Sequence, residues 1–375
     1  MAHVYTPGLR VSERTTLRKR RTLPLRGQVL VKVGDRVQAE TVVARTELPG
    51  KVHSVNIVNR LGIDPADIRE FMLKKEDDPI QANEPLAETK PFIKWLKTVV
   101  ASPITGTVET VSAVTGQVLL REPPRPVEVA AYVDGAVVET MEGEGVVVET
   151  DATLIQGIFG VGGEAVGEIE FAVDSPSEPL RPDALNERLR GKIIVCGSYI
   201  TADALKRAVQ LGLRGVIVGG LDDRDLRDLL GYEQGVAITG SENIGIVVVL
   251  TEGFGNIAIA QRTFDLLKAR KGARASMSGA TQIRAGVVRP EIVIPAQDSG
   301  VHRLADAAVA ATGMKEGDPV RIIRHPHFGA LGKVVRLPHQ PVPIETEARV
   351  RVVDVQLPDG KVLTIPRANV EVIQG

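Results

Sequence analysis

The sequence predicts a multidomain α+β protein in which strand-rich segments flank one small parallel α/β unit. The chain has 375 residues, more than a single hydrophobic core usually organises. Aromatic residues make up only 3%, so Val, Ile, Leu and Ala must fill the core, a composition typical of many short strands. After residue 176 the alternating pattern gives way to apolar runs separated by helical segments, and alternation returns near the C-terminus.

Composition and charge exclude several classes of protein. Lysine plus arginine number 46 and aspartate plus glutamate 47, so no global field attracts polyanions and any nucleic-acid contact must be local. Cys196 is the single cysteine, which rules out an internal disulfide and fits a reducing compartment. The first 21 residues lack the apolar run of a signal peptide, and no window contains 18 uninterrupted apolar residues. We therefore expect a cytoplasmic protein without membrane contact.

Residues 1–125 are predicted to form the first domain. The basic run at 18–21 is interpreted as a solvated strand or arm, with a phosphate-binding patch as the alternative. A weak repeat relates 33–46 to 76–89, and a Gly-x-Val strand follows each copy. The matching positions are Asp35/Asp78, Gln38/Gln81, Ala39/Ala82, Ala44/Ala87 and Thr46/Thr89. Two halves are expected to pack together, because a lone hairpin cannot bury its apolar face in water.

A helical insert is predicted between the two copies, near 63–78. Asp64 is a suitable N-cap, and Pro65 suits the first helical position.

This β pattern, over roughly residues 24–120, resembles the barrel-sandwich hybrid fold of lipoyl- and biotinyl-type domains. Carrier domains of that family present a modifiable lysine within a Met-Lys-Met or Asp-Lys-Ala string. Neither string occurs here, and Lys51 lies in a Gly-x-Val strand instead. The resemblance therefore implies a structural or docking module rather than a covalently modified carrier.

Residues 126–175, after a proline-rich joint, alternate apolar and polar positions and predict a β extension. Within it, Gly160-x-Gly162-x-x-Ala165 is a formal variant of the dinucleotide-binding fingerprint. That fingerprint requires a strand that turns directly into a helix, whereas here the glycines lead into a second alternating segment. We predict a tight turn or bulge at this point, and no cofactor.

Residues 176–300 predict a small α/β domain. Apolar strands separated by helices indicate a parallel sheet. The predicted strands are 191–196, 214–220 and 243–250, and the predicted helices are 201–213, 222–231 and 256–272. Strands return in 280–296, and a short helix is expected over 302–312.

Ligands of parallel sheets bind beyond the carboxyl ends of the strands, where the loops 196–203, 219–223 and 251–256 are expected to meet. The third loop is the most suggestive. Its polar and glycine residues at the start of a predicted helix suit a small anionic or phosphorylated ligand. The candidate ligand-binding residues are Thr251, Gly253, Gly255 and Asn256. Glu252 would repel a phosphate, and an ordinary turn capped by Asn256 is the alternative.

Residues 301–375 are predicted to form a small β-barrel. The pieces Gly317-Asp318-x-Val320-x-Ile322 and Phe328-Gly329-x-x-Gly332-x-Val334 resemble the KOW motif of ribosomal proteins and transcription-elongation factors. This resemblance implies an SH3-like barrel closed by strands in 350–373, with a turn at 358–360.

Two histidines stand on the expected loop between the KOW strands, at 325 and 327. A metal site is not predicted, because zinc needs three or four ligands and none of the other candidates is near. The resemblance implies instead a basic rim that contacts RNA or a protein surface. The rim residues are Arg321, Arg324, His325, His327, Lys333 and Arg336. The alternative is a barrel that serves only for packing.

No catalytic constellation is predicted. Cys196 lacks a histidine within the α/β segment to activate it, and no Walker A loop, His-Glu-x-x-His string or nucleophile elbow occurs. The leading hypothesis is a non-enzymatic binding or scaffold protein that contacts RNA, a ribonucleoprotein such as the ribosome, or the transcription machinery. The alternatives are an enzyme or sensor with a small anionic ligand at 251–256, and a structural homo-oligomer.

Overall fold

A computed structural model describes residues 9–90, 97–222, 224–225, 227, 244–281, 288–296, 314–322, 327, 330–338, 340–343 and 349–372. The predicted helix at 302–312 and most of that at 222–231 lie outside the described residues, as do Arg324 and His325. Within the described chain, no helix is long and apolar enough to cross a membrane.

The N-terminal third is built from short strands with two helical turns between them. Its strands are β1 (Val11–Thr22), β2 (Gln28–Val29), β3 (Arg36–Val37), β4 (Val42–Leu48), β5 (Val52–Asn56), β6 (Pro79–Ile80), β7 (Pro85–Glu88), β8 (Val99–Ala101), β9 (Gly106–Val111) and β10 (Gln117–Arg121). The helices are α1 (Ile57–Leu61) and α2 (Ile68–Phe71). The predicted N-cap is confirmed, since Asp64 Oδ1 accepts from Ala66 N at 2.9 Å before a 3-10 turn. The insert stops at Phe71, well before residue 78.

The middle of the chain contains longer strands and the parallel segment. Its strands are β11 (Arg125–Ala130), β12 (Gly135–Met141), β13 (Gly145–Gln156), β14 (Phe159–Val161), β15 (Glu164–Phe171), β16 (Ile193–Val195), β17 (Gly215–Leu221), β18 (Val247–Phe254), β19 (Arg274–Ser278) and β20 (Glu291–Pro295). The helices are α3 (Ala202–Gln210) and α4 (Gln261–Ala269).

The prediction of a parallel sheet is confirmed: β15, β16, β17 and β18 pair in parallel in that order. The three inner strand segments carry buried Ile, Val and Leu on both faces, the pattern expected of a sheet covered on both sides. Thr201 caps α3 by accepting from Ala204 N at 3.2 Å. This segment holds the largest hydrophobic core of the described chain.

The expected β extension is not separate from the parallel strands. A single 11-stranded sheet runs in the order β14-β18-β17-β16-β15-β19-β20-β13-β12-β3, with β1 paired to β13. Antiparallel β19 and β20 link β15 to β13 and so carry the sheet across the expected boundary near residue 175. The predicted tight turn is confirmed, because Gly162 and Gly163 connect β14 to β15 with φ of +106° and +74°.

The basic run at 18–21 lies in β1, and carboxylates from elsewhere in the sheet neutralise much of it. Arg18 pairs with Glu149 at 2.7 Å, and Arg21 pairs with Glu164 at 2.7 Å. The Arg18 and Arg20 side chains are still 61% and 65% exposed, so the phosphate-binding alternative stays a prediction.

The sequence repeat corresponds to two small β units with the same strand pairing. In the outer unit (28–48 with 125–148), β3 pairs with β12, β4 with β11 and β12 with β13. In the inner unit (52–121), β6 pairs with β9, β7 with β8 and β9 with β10. The inner unit lies between β4 and β11 of the outer unit along the chain.

The two copies do not complete one core, contrary to the expectation from the repeat. Their buried residues form separate clusters. Each copy instead obtains its remaining strands from further along the chain, β9 and β10 in the inner unit and β12 and β13 in the outer unit.

One turn recurs in both units and again near the C-terminus. In each turn, a lysine N–H donates to an aspartate Oδ2 three residues later, at 3.0, 2.7 and 2.7 Å. The residue before the aspartate has φ of +94°, +70° and +91°. The pairs are Lys32/Asp35, Lys75/Asp78 and Lys315/Asp318. The carboxylate satisfies a backbone donor that the turn leaves unpaired, which explains why aspartate recurs there.

The C-terminal unit (314–372) is β throughout its described residues, apart from one 3-10 turn. Its strands are β21 (Pro319–Ile322), β22 (Leu331–Arg336), β23 (Val342–Pro343), β24 (Arg349–Val350), β25 (Val352–Gln356), β26 (Val362–Pro366) and β27 (Val370–Val372). Five of them form a sheet in the order β26-β25-β22-β21-β27 around a Val- and Ile-rich core. The predicted turn at 358–360 joins β25 to β26, with Gly360 N donating to Leu357 O at 2.9 Å.

Candidate functional site

The loops expected at the carboxyl ends of the parallel strands do meet, but they fill the edge of the sheet themselves. Gly255 N donates to Leu221 O at 3.0 Å, and Ile257 N donates to Ser198 O at 3.2 Å. A Cβ atom at Gly220 would lie 2.0 Å from Gly255 O, so glycine is required there for one backbone to approach another. These glycines therefore serve contacts within the protein.

The candidate loop at 251–256 does not open a helix. β18 continues to Phe254, and α4 begins only at Gln261. Asn256 is exposed and does not cap α4, whose N-cap is Ala260. Thr251 is 1% exposed, and its hydroxyl lies 3.4 Å from Val218 O. The predicted cap was wrong because this segment bonds to distant loops instead: Ile257 N donates to Ser198 O and Ile259 N to Pro176 O, each at 3.2 Å.

Glu252 takes the place expected for an anion. Its side chain is 5% exposed, and Oε1 accepts from Ala260 N at 3.0 Å, directly before the first turn of α4. A carboxylate at that position is favoured by the backbone N–H groups and dipole of the helix. Glu252 would therefore repel a phosphate, as the sequence suggested, and its own carboxylate also occupies the position that the phosphate would take.

Arg321 lies against this carboxylate rather than on an exposed rim. Its side chain is 3% exposed, Nη1 donates to Glu252 Oε2 at 2.7 Å, and the same nitrogen donates to Thr251 O at 3.1 Å. The pair links β21 of the C-terminal unit to the end of β18 in the large sheet. The prediction that Arg321 faces solvent was therefore wrong. The predicted ligand loop at 251–256 and the predicted basic rim meet at this one buried contact.

Two other predicted rim residues are exposed on β22. Lys333 is exposed, and the Arg336 side chain is 71% exposed while its Nε donates to Asp354 Oδ2 at 2.7 Å. Leu331 and Val335 are 39% and 40% exposed on the same strand. We call this basic and apolar strand surface the open face of the C-terminal unit.

Asp354 lies beneath the open face and holds Arg336 in place. Burial raises the pKa of its carboxyl, but hydrogen bonds from Thr364 and Arg336 outweigh that effect and leave the pKa below its ordinary value. The Thr364 hydroxyl donates to Oδ1 at 2.7 Å. Asp354 is therefore ionised at neutral pH.

Further cations near the open face were missed by the sequence analysis. Arg367 donates through Nη2 to Pro338 O at 2.9 Å and through Nε to Val352 O at 3.0 Å. Burial and the neighbouring positive charge of Arg351 lower the pKa of Arg367. Arg351 itself is exposed. Both residues stand at strand boundaries without a motif around them, so the sequence carried no signal for them.

Of the paired histidines, only His327 belongs to the described residues. It is half-buried, and its backbone carbonyl accepts from Ala330 N at 3.1 Å. Among the residues that the structure describes, no three His, Cys, Asp or Glu side chains lie together in a way that could hold a metal ion.

Two other ionisable groups, the Cys196 thiol and the Tyr199 hydroxyl, lie near the carboxyl ends of the parallel strands. Cys196 is fully buried, which raises the pKa of its thiol well above the ordinary value. The Tyr199 hydroxyl donates to Asp225, and burial together with that carboxylate raises the pKa of Tyr199 to about 12. Both groups therefore stay protonated at neutral pH. A nucleophilic thiolate or a general base must be deprotonated, so neither group has the state that such a role requires.

One signal could have revealed the buried ion pair. Glu252 comes two residues after an uninterrupted apolar run at 246–250, and Arg321 interrupts the apolar run at 320–323. A charge flanked by buried positions requires a partner of opposite sign. Sequence spacing could not show which partner, because the two residues are 69 positions apart.

No protein-family model matches this chain, and no curated protein sequence matches it.

Proposed function

We propose that this chain is a non-enzymatic binding protein whose C-terminal unit contacts RNA within a ribonucleoprotein. The observation that carries the proposal is the open face, where Lys333 and Arg336 reach solvent beside exposed Leu331 and Val335. Cations contact phosphates without reading the sequence, while apolar side chains on the same strand can pack against sugars and bases. The KOW resemblance of this unit supports the same function.

The proposal differs from the sequence hypothesis in the residues that act. Arg321 is removed from the RNA contact, because its guanidinium is buried against Glu252. The contact surface of the proposal is therefore strand β22, with Lys333 and Arg336 as its cations.

A salt-dependent binding titration tests the proposal. We expect a structured RNA to bind the full chain more weakly as salt rises, because binding releases counterions from the phosphates. Replacement of Lys333 and Arg336 by alanine together should lower the salt slope by about 2, about 1 for each lost phosphate contact.

The matched control removes two exposed cations elsewhere, Arg190→Ala with Lys271→Ala, whose side chains are 62% and 56% exposed in the large-sheet segment. This variant loses the same charge, and we expect it to bind as the unmodified chain does. Undetectable binding at low salt, or an equal loss in both variants, would exclude the open face as an RNA surface.

The small-anion alternative has less support from the site geometry. Glu252 occupies the anion position, and the glycines of the loop are used for contacts between backbones. The homo-oligomer remains a prediction that a mass measurement in solution would test.

A further inference from the structure

The end of β18 has the chemistry of a cation-binding site. The Glu252 carboxylate and the Thr251 carbonyl both point to one nitrogen, at 2.7 and 3.1 Å. Glu252 is held in that orientation by its second oxygen, which accepts from Ala260 N at 3.0 Å. The receptor is therefore rigid on its acidic side: one oxygen of the carboxylate is fixed by the start of α4, and the other faces the bound cation.

Burial decides what such a receptor can hold. Glu252 and Arg321 are 5% and 3% exposed, so neither charge is hydrated. A carboxylate removed from water is unstable unless a cation replaces the lost hydration. A guanidinium suits the position because its weakly hydrated, planar N–H₂ group donates to two acceptors at once, while an ammonium loses more hydration on entry.

The ion pair is not fully satisfied. Arg321 Nε is buried, and no hydrogen-bond partner for it lies among the residues that the structure describes. An unpaired buried donor lowers the benefit of the contact. A pair that gives little net stability can still determine how two units are oriented, because removal of either charge leaves the other one buried without a counter-charge.

We propose that the end of β18 is a guanidinium-binding site and that Arg321 is its ligand, supplied in cis by the C-terminal unit. Binding of this one side chain docks the C-terminal unit on the large sheet and directs β22 to solvent. The site is separate from the open face, so the proposal holds whether or not the chain binds RNA.

Chemical rescue of a truncated arginine tests the site. Arg321→Ala removes the guanidinium and leaves a space for ethylguanidinium, which replaces the missing atoms. We expect Arg321→Ala to unfold at a lower temperature than the unmodified chain. Millimolar ethylguanidinium should restore part of that loss, whereas ethylammonium at the same ionic strength should restore less. Arg336→Ala, which removes an exposed guanidinium, should show no rescue.

The proposal is overturned if Arg321→Ala melts at the temperature of the unmodified chain, or if ethylammonium and ethylguanidinium rescue it equally. If that variant does not fold, the pair Glu252→Gln and Arg321→Met decides. We expect the double variant to melt closer to the unmodified chain than either single variant does. Additive losses in the two single variants would show that the side chains do not act together.

Discussion

Two arginines on neighbouring strands of the C-terminal unit have opposite surroundings. Arg321 on β21 and Arg336 on β22 each bind one carboxylate at 2.7 Å. The side chain of Arg321 is 3% exposed and that of Arg336 is 71% exposed. Arg321 joins the C-terminal unit to the large sheet, whereas Arg336 binds Asp354 within its own unit.

The comparison shows that an equal distance does not mean an equal energetic role. Water and salt screen the Arg336 guanidinium, so its pair with Asp354 is partly screened even though the Asp354 side chain is 7% exposed. The buried pair carries a large desolvation cost on both sides, so the loss of one member is severe even where the intact pair stabilises little. Substitution on the docked side of the unit should therefore cost more stability than substitution of the exposed cations of the open face.

The largest effect should come from breaking the buried pair. Arg321→Met leaves the Glu252 carboxylate buried without its cation, and we expect a loss of about 3–5 kcal/mol in the free energy of unfolding. Urea denaturation measures this loss, with Arg336→Met as the matched control. Equal losses in the two variants would remove the distinction between the docked side and the open face.

A smaller loss is expected from a side chain placed between the packed strand ends. A Cβ at Gly220 would lie 2.0 Å from Gly255 O, so Gly220→Ala should destabilise by about 3 kcal/mol, the upper end for overpacking. Gly360→Ala is the comparison without overpacking, because no atom lies within 4 Å there and its cost comes only from the strain of alanine at φ +86°. A difference near zero between these variants would indicate that the strand ends separate easily.

Beneath the open face, Asp354→Asn should cost about 1.5–3 kcal/mol at neutral pH, the range of a hydrogen bond to a charged group. The folded-state pKa of Asp354 is lowered, so its stabilisation is complete above the unfolded pKa of about 3.9 and declines as pH falls through the folded value. Denaturation curves at several pH values should show the variant and the unmodified chain converging in acid. A gap that persists undiminished in acid would mean that the charge of Asp354 is not what matters.

The smallest effect on stability should come from Arg336→Ala, about 1 kcal/mol, because the guanidinium is largely exposed and the buried Asp354 carboxylate keeps its hydrogen bond from Thr364. The same substitution should reduce the slope of RNA affinity against salt by about 1. Calorimetric melting and filter binding on one preparation give both values. Weaker binding together with a large loss of stability would assign Arg336 a packing role instead.

Much of the local structure was predictable because local rules specify it. The parallel strands, the Thr201 and Asp64 caps and the turn at Gly162–Gly163 follow from apolar runs, capping residues and glycine spacing. The repeated turn is predictable for the same reason, since Asp35 and Asp78 bind their own backbone three residues away.

The errors fall where distant segments compete with a local pattern. Residues 256–260 have a helical pattern, yet strand pairing extends β18 to Phe254, and Ile257 binds the 198 loop. The repeat suggested one shared core, but strands from further along the chain give each copy its own. Both outcomes depend on residues that are distant along the chain, so no short window of sequence could have predicted them.

The order of residue types along the chain specifies which residues alternate, which segments are buried on both faces and which turns need glycine or aspartate. It does not specify that Arg321 is covered and Lys333 is not, since both lie in strands of the same small unit and long-range packing makes the difference. Alternation along a strand assigns side chains to one of two faces. What covers a face depends on another part of the chain, and here the end of β18 provides that cover.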